Sequence, residues 1–309
     1  MKKILVTGAS GSIGINVIKY LLSEGKYDIT ALDLKNKKTE KNLKKYKKRI
    51  NIIYGDINDS VLIESLVKEH NYIIHLASIM PPFGEIIKKS SEIVDYYGTE
   101  NIIKAINYYN NECFLIYAST TSLYNKNNEV NNKEKINTNN LGNYSLVKYN
   151  TENLIKKKLK NYTIFRLPLI LNNFKNEPFM LNIKKNEVVE VITNNDAAYA
   201  FVKAINYKNE LNKKIFNVGM GEDGRVKFDS ILKKILINYG ISFKYVLSRT
   251  FLEKNYYSPI LLDSDVLNNI INYRHDSLYN YFNRLKRIGK RRKIEKILAK
   301  PIVWLKNKK

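Results

Sequence analysis

The 309-residue sequence is poor in cysteine, histidine and long apolar runs. Its one cysteine, Cys113, excludes a disulfide scaffold and a zinc site built on several thiolates, and its three widely spaced histidines predict no metal site. No apolar run approaches the ~20 residues that a membrane span needs. Glycines and hydroxyl residues interrupt the apolar stretch after the N-terminal lysines, so we expect no signal peptide. One thiol and no export signal together predict a cytoplasmic protein.

Acidic residues are also scarce, with 29 against 53 basic ones and a formal net charge of +24. Twelve of the basic residues and one acid fall between residues 284 and 309, and the remaining lysines are scattered. The aromatic residues form no blocks interleaved with basic ones, so no specific nucleic-acid partner is predicted. The basic run 290–293 precedes an aliphatic and aromatic patch. This tail fits either peripheral contact with an anionic membrane surface or a solvated or core-docked terminal helix.

Short apolar segments alternate with helical patterns over the first 167 residues. Strands are predicted at 3–6, 28–32, 50–54, 72–76, 113–118 and 162–167, and the longest helices at 85–109 and 144–158. This alternation predicts an α/β fold with a doubly wound parallel sheet of the Rossmann type. Beyond Pro168 the pattern is looser, with strands expected at 188–192 and 215–218 and helices at 195–207, 228–239 and 277–287.

Three regions follow from this pattern. Residues 1–170 are expected to form a dinucleotide-binding domain, to which 188–219 returns. A small C-terminal substrate lobe is expected from 171–187 and 220–283, followed by the basic tail at 284–309.

A glycine-rich turn follows the first strand, where Gly8, Gly11 and Gly14 have the spacing G-x-x-G-x-x-G. A strand before such a turn and a helix after it are typical of a pyrophosphate site, because the free N–H groups of the helix start bind the anion. Asp33 ends the second strand, nineteen residues after Gly14. A carboxylate there accepts hydrogen bonds from a ribose diol and repels a 2′-phosphate, which favours NAD. Three lysines at 35, 37 and 38 leave NADP open.

Tyr144 and Lys148 are four residues apart on a predicted helix and so share one face. A free tyrosine has a pKa of about 10, and a base that works near pH 7 needs that value lowered by roughly three units. An ammonium group one helical turn away provides part of that stabilisation. By itself such a pair is a common coincidence in a chain with 23 tyrosines.

The glycine turn, the hydroxyl residues that end the fifth strand and the Tyr–Lys pair occur together. In this combination the chain resembles the extended short-chain dehydrogenase/reductase family, the NAD-dependent epimerase/dehydratase group, from Met1 to about Leu285. The segments that carry the resemblance are His75–Ser78, Gly98–Asn101, Ala118–Tyr124, Phe165–Pro168 and Phe216–Gly219. The resemblance implies a cofactor site formed by Gly8, Ser10, Gly11, Ser12, Ile13, Gly14, Asp33, Asp56, Ile57, Leu76, Ala77, Ser78, Tyr144, Lys148 and Pro168.

The resemblance also implies an NAD-dependent oxidoreductase or epimerase that acts on a hydroxyl or keto carbon of a sugar or nucleotide sugar. In this assignment Tyr144 takes the hydroxyl proton, Lys148 lowers the pKa of Tyr144 and holds the nicotinamide ribose, and Thr120 hydrogen-bonds the reacting oxygen. The alternative is a non-catalytic dinucleotide-binding scaffold, docked on an anionic membrane surface. A homodimer is left open by the sequence.

The chain departs from the family pattern at three places. Residues 187–190 contain no arginine, where nucleotide-sugar epimerases of the family often carry one to clamp a diphosphate. Thr121 and Ser122 stand where dehydratases of the family carry an Asp-Glu pair, so dehydration is disfavoured. Asp95 stands where an Asn usually precedes the Gly-Thr pair.

Overall fold

The computed structural model describes residues 1–81, 83–124, 129–172, 186–239 and 258–291. Within these ranges the strands are β1 (Lys2–Thr7), β2 (Tyr27–Asp33), β3 (Asn51–Tyr54), β4 (Tyr72–His75), β5 (Phe114–Thr120), β6 (Glu129–Val130), β7 (Tyr162–Leu167), β8 (Leu169–Leu171), β9 (Val188–Thr193), β10 (Lys214–Asn217), β11 (Arg225–Lys227) and β12 (Ile260–Leu261). Seven of them form the main sheet in the order β10-β7-β5-β4-β1-β2-β3, and every pairing in that sheet is parallel.

Helices connect the strands and cover both faces of the main sheet. They are α1 (Ser12–Glu24), α2 (Lys37–Leu43), α3 (Ser60–Glu69), α4 (Phe83–Ile86), α5 (Lys88–Ser91), α6 (Gly98–Tyr109), α7 (Asn143–Lys158), α8 (Asn194–Ala204), α9 (Lys208–Leu211), α10 (Phe228–Tyr239), α11 (Ser264–Ile271) and α12 (Leu278–Arg291). A π-helical segment, Glu92–Tyr97, leads directly into α6. None of the described helices has both the length and the apolar character needed to cross a membrane.

Alternate residues of β1, an interior strand of the main sheet, enter two separate apolar clusters. Ile4 and Val6 pack with the cluster that includes α1 and α8, whereas Leu5 packs with the one that includes α3 and α6. Successive side chains of a strand point to opposite faces, and a parallel sheet with helices on both sides buries both. The predicted doubly wound α/β fold is confirmed, and the carboxyl ends of its strands meet at one edge.

The region predicted as one helix at 85–109 is divided in the structure. It comprises α4, α5, the π-helical segment and α6. At the start of α6 the backbone passes close to a neighbouring loop, since a Cβ on Gly98 would lie 2.6 Å from Ile57 Cγ2. The break places the side chain of Asp95 in the interior of the protein, where it is almost fully buried.

The segment 188–219 is shared between two sheets. Strand β10 pairs with β7 in the main sheet, and α8 packs on α1. Strand β9, however, pairs with β8 and β11 in a separate three-stranded sheet. Pro168 ends β7 because it has no N–H to continue the ladder, and the chain that leaves the sheet there becomes β8, the partner of β9.

Parts of the remaining predicted regions lie outside the described residues. These are residues 173–185 and 240–257 of the predicted substrate lobe, and residues 292–309 of the predicted basic tail, including all of its apolar patch. The tail's first residues, 284–291, form the end of α12.

A buried ion pair joins α7 to β7. Arg166 donates from Nε and Nη2 to the two carboxylate oxygens of Glu152, at 2.9 and 2.7 Å, and Ser119 Oγ donates to Glu152 Oε1 at 2.6 Å. The Glu152 side chain is fully buried. The pair therefore fixes the helix that carries Tyr144 and Lys148 against the sheet.

We predict that Glu152→Gln lowers the free energy of unfolding by about 3 kcal/mol, because it leaves the Arg166 charge buried without its counter-charge. The matched control is Glu100→Gln on α6, whose partner Lys104 is 67% exposed. Exposed pairs of this kind contribute at most about 0.5 kcal/mol. Urea denaturation of both variants and the parent measures the difference. Equal losses in the two variants would contradict the structural role of the pair.

His75 connects three elements at the end of β4. Its Nδ1 lies 2.7 Å from Thr7 Oγ1 on β1, and its Nε2 lies 2.9 Å from Thr99 Oγ1 on α6. Burial lowers the pKa of His75 to about 3, with a smaller contribution from the nearby Lys148 charge. The ring is therefore neutral over the physiological range, and its contacts make it a structural residue.

This shift predicts acid destabilisation. The ordinary pKa of His is about 6.5, so between pH 6.5 and 3 the unfolded chain binds a proton that the folded protein does not, and stability falls as the pH falls. Between pH 7 and 5 the loss from His75 is about 2 kcal/mol. In His75→Gln, the free energy of unfolding should fall by about 2 kcal/mol less between pH 7 and 5 than it does in the parent. Urea denaturation at both pH values tests this, and an unchanged pH dependence in the variant would show that His75 is not responsible.

Candidate active site

The glycine-rich turn lies between β1 and α1. Gly8 has a φ of +64°, and a Cβ there would lie 2.7 Å from Ala77 N. A Cβ on Gly14 would lie 2.5 Å from Gly8 O. Both positions therefore require glycine. At Gly8 and Gly14 a Cβ would collide with nearby backbone, and at Gly8 the positive φ also disfavours other residues. No side chain caps the start of α1, so its first N–H groups are available to an anion.

Asp33 lies at the end of β2, beside the turn. Its Oδ2 accepts a hydrogen bond from Ser10 N at 2.8 Å, and its Oδ1 accepts one from Leu34 N at 2.9 Å. The carboxylate is thus fixed in place by backbone groups, where it can accept hydrogen bonds from a ribose. Four lysines line the same end of the cavity, namely Lys19, Lys38, Lys41 and Lys45.

Tyr144 and Lys148 lie on the first turns of α7 and face the end of β5. Lys148 Nζ lies 3.0 Å from Ala118 O and 5.8 Å from the centre of the Tyr144 ring. The lysine side chain is only 2% exposed, and its Nζ forms an ion pair with Asp95 Oδ1 at 2.9 Å. Burial by itself lowers the pKa of Lys148, but the charge of Asp95 and further interactions outweigh it and raise that pKa above its ordinary value.

A chain of hydroxyl groups follows Thr120 at the end of β5. Thr120 Oγ1 lies 3.0 Å from Ser122 Oγ, which lies 2.8 Å from Ser145 Oγ on α7. The three hydroxyls are buried. They connect the end of the strand to the residue that follows Tyr144, and so hold Thr120 and the start of α7 in a fixed relation.

One cavity of about 760 Å³ runs along the carboxyl edge of the main sheet from the glycine turn to Tyr144. All the residues that the sequence assigned to the cofactor and to catalysis line it. They are Gly8, Ser10, Gly11, Ser12, Ile13, Gly14, Asp33, Asp56, Ile57, Leu76, Ala77, Ser78, Thr120, Tyr144, Lys148 and Pro168. The strand ends that the topology brings together thus form a continuous surface with the glycine-rich turn at one end and the Tyr–Lys pair at the other.

Several neighbours of this site were not assigned by sequence reasoning. Asp95 was noted as a departure from the family pattern, but its contact with Lys148 was not foreseen. The Tyr117 ring, whose centre lies 4.8 Å from Lys148 Nζ, was also missed. So was Asn16 on α1, which lines the cavity and accepts a 2.8 Å hydrogen bond from Lys19 Nζ. The departure at residue 95 was the one sequence signal for the first of these contacts.

Metal chemistry receives no support from the side chains of the described residues. Among them, no group of three or more His, Cys, Asp or Glu residues is arranged to hold a metal ion. The one cysteine, Cys113, is buried, and burial raises its pKa to about 12. A thiol with that pKa is neither a metal ligand nor a nucleophile near neutral pH.

Comparisons with known proteins identify a family and several relatives. The model of the NAD dependent epimerase/dehydratase family matches residues 4–179, more than half of the chain. The chain is 31% identical over 127 residues to the UDP-N-acetyl-alpha-D-glucosaminuronate decarboxylase of Bacillus cytotoxicus, a match that covers 40% of this chain and 38% of that protein. It is 29% identical over 128 residues to the CDP-paratose 2-epimerase of Salmonella typhi, again over 40% of this chain and 38% of that protein.

A solved structure extends the likeness over nearly the whole chain. The dTDP-glucose 4,6-dehydratase DesIV of Streptomyces venezuelae, crystallised with NAD and TYD bound, has a TM-score of 0.76 and 15% identity. The match covers 94% of this chain and 97% of that one, and at this identity it establishes the fold. With the family model matched over β1 to β8 and this fold, the chain belongs to the NAD dependent epimerase/dehydratase family, as the sequence motifs predicted.

Proposed function

We propose that the protein binds NAD along the cavity and oxidises or epimerises a hydroxyl-bearing carbon of a nucleotide sugar. The observation that carries the proposal is the single cavity with the glycine turn and Asp33 at one end and Thr120, Tyr144 and Lys148 at the other. The anion-binding N–H groups of α1 and the fixed Asp33 carboxylate fit a pyrophosphate and an adenosine ribose. The nucleotide-sugar class rests on the substrates named for the two curated relatives, whose matches span about two fifths of their lengths.

In this proposal Tyr144 is the acid–base group. The phenolate of Tyr144 takes the proton of the substrate hydroxyl, and Thr120 holds that oxygen by a hydrogen bond. The Lys148 ammonium stabilises the phenolate and donates to the nicotinamide ribose. When bound, NAD supplies the hydride acceptor for the oxidation and, in an epimerase, the donor that returns the hydride.

Loss of water is not part of the proposal. Elimination needs a second proton donor for the departing hydroxyl, and the positions where family dehydratases place carboxylates hold Thr121 and Ser122. Both side chains are buried, and Ser122 bonds only to other hydroxyl groups among the contacts that the structure gives its side chain. We therefore favour oxidation or epimerisation at a hydroxyl carbon.

We also propose that the chain divides into a unit that binds the cofactor and a lobe that binds the substrate. Residues 1–170, together with α8 and β10, form the cofactor unit. The small substrate lobe comprises residues 171–187 and 220–283. The packing of α8 on α1 and the pairing of β10 with β7 support this division. We further propose a cytoplasmic location and a homodimer. Peripheral membrane contact through the tail rests on residues outside the described ranges.

We predict that Tyr144→Phe reduces turnover at least ~100-fold while NAD affinity stays within a few-fold of the parent value, because only the ionisable oxygen is removed. The probes are UDP-glucose, UDP-N-acetylglucosamine, CDP-paratose and dTDP-glucose, with 1H NMR for stereochemical change and absorbance at 340 nm for released NADH. Tyr149→Phe, on the same helix, is the matched control and should leave turnover unchanged. Full activity of Tyr144→Phe would exclude the proposed base, and NAD binding without turnover of any probe would favour the non-catalytic scaffold.

We predict that Asp33→Ser weakens NAD binding about tenfold, because a charge-assisted hydrogen bond to the ribose is lost. The same change should strengthen NADP binding, since the four lysines at this end of the cavity are no longer opposed by a carboxylate. Isothermal titration calorimetry with both dinucleotides measures the two effects. Asp28→Ser, an exposed position on the same strand, is the control. An unchanged NAD to NADP ratio in Asp33→Ser would show that Asp33 does not contact the ribose.

A further inference from the structure

Lys148 has a charged partner that its proposed role does not itself require. The carboxylate of Asp95 lies 2.9 Å from Lys148 Nζ, and both side chains are almost completely buried. The other oxygen of that carboxylate, Oδ2, accepts a hydrogen bond from Ile79 N at 3.1 Å. An ion pair this deep is stable only when both groups are held in place, because each charge has lost its water.

The backbone around Asp95 is arranged to hold that position. Asp95 lies in the π-helical segment Glu92–Tyr97, and π segments are rare insertions that concentrate at functional sites. Its carbonyl oxygen accepts hydrogen bonds from the hydroxyls of Thr99 and Thr151, the second of which lies on α7. The segment is therefore bonded both to its own helix and to the helix that carries Lys148.

The other groups that face Lys148 do not replace Asp95 as its counter-charge. From α7, Glu152 is already neutralised by Arg166 of β7 through two hydrogen bonds. From β4, His75 is neutral. Among the described residues, the other groups close to Lys148 are the Tyr117 ring and the Ala118 carbonyl of β5, which carry no charge, and Tyr144 itself. The helix α4 brings a further carboxylate to Tyr144, that of Glu85, which accepts hydrogen bonds from the backbone N–H groups of Asn143 and Tyr144. Glu85 is present in the parent and in every Asp95 variant, so it does not contribute to a difference between them.

We propose, on the basis of the function proposed above, that Asp95 is a positioning residue that holds the Lys148 ammonium in place and offsets part of its charge at Tyr144. Tyr144 then releases its proton at a higher pH than it would beside a neutral residue at position 95. The phenolate is stabilised by the net charge near it, and an ammonium paired with a carboxylate contributes less than an ammonium alone. The π-helical segment is the device that brings this carboxylate to the lysine.

The test measures the ionisation of Tyr144 directly and needs no substrate. The tyrosinate absorbance at 295 nm is followed from pH 5.5 to 10 in the NAD-loaded protein, and the same titration of Tyr144→Phe is subtracted. The same titration is carried out on Asp95→Asn, and that of the double variant Asp95→Asn/Tyr144→Phe is subtracted from it. The pH at which Tyr144 ionises is then compared between Asp95→Asn and the parent. We expect Tyr144 to ionise about one pH unit lower in Asp95→Asn, a tenfold change in its ionisation constant. The control is Glu100→Gln. Glu100 lies five residues after Asp95 and pairs with Lys104, so its loss should leave the pH at which Tyr144 ionises unchanged.

The outcomes separate this inference from the proposed function. An ionisation in Asp95→Asn that is unchanged, or at higher pH than in the parent, overturns the role of Asp95. If the parent protein itself shows no Tyr144 ionisation below pH 9, the proposed acid–base role fails instead. Asp95→Ser is the second neutral variant, and the same downward shift is expected from it if Asp95→Asn does not fold. Near-ultraviolet circular dichroism of every variant confirms that the folded protein is being titrated.

Discussion

The buried ammonium of Lys148 constrains the structure around it. An isolated charge in the protein interior costs several kcal/mol, so the lysine can occupy its position only with its partners present. The Asp95 carboxylate, the Ala118 carbonyl and the Tyr117 ring supply that environment from the π-helical segment and β5. Because the lysine is one helical turn from Tyr144, the contacts that stabilise its charge also hold the part of α7 that carries the tyrosine. Folding and the proposed chemistry therefore depend on the same group.

Local sequence was sufficient to predict the residues at the ends of the strands. At position 8 the backbone is left-handed and passes close to the loop after β4, so only glycine fits there. The glycine spacing in the sequence is sufficient to identify this position. Asp33 follows from its position at the end of β2. Tyr144 and Lys148 share a face because they are four residues apart on a helix. Parallel topology then brings these separate strand ends to one edge, which is why residues predicted from local patterns line one continuous cavity.

Contacts between distant segments were not predictable in the same way. The ion pair of Asp95 with Lys148 joins residues 53 positions apart, and periodicity carries no information about it. The π-helical segment is only six residues long, too short for its wider turn to be distinguished from an α-helix in the sequence. Strand β9 is an apolar run like those of the main sheet, and only the exit of the chain at Pro168 determines that it pairs in the smaller sheet.

The side chains at the Tyr144 end of the cavity restrict the reaction that it can support. Thr120, Ser122 and Ser145 form a hydroxyl chain in which each oxygen lies within hydrogen-bond distance of the next. Aliphatic hydroxyls can orient a substrate oxygen or pass a hydrogen bond along, but they do not ionise near neutral pH. Among the described residues that line this end, Tyr144 and Lys148 are the ionisable ones, and Lys148 is committed to its charged state by Asp95. Tyr144 can therefore exchange one proton with the substrate, which is sufficient to interconvert a hydroxyl and a carbonyl. Elimination of water would require a second acid to protonate the leaving oxygen.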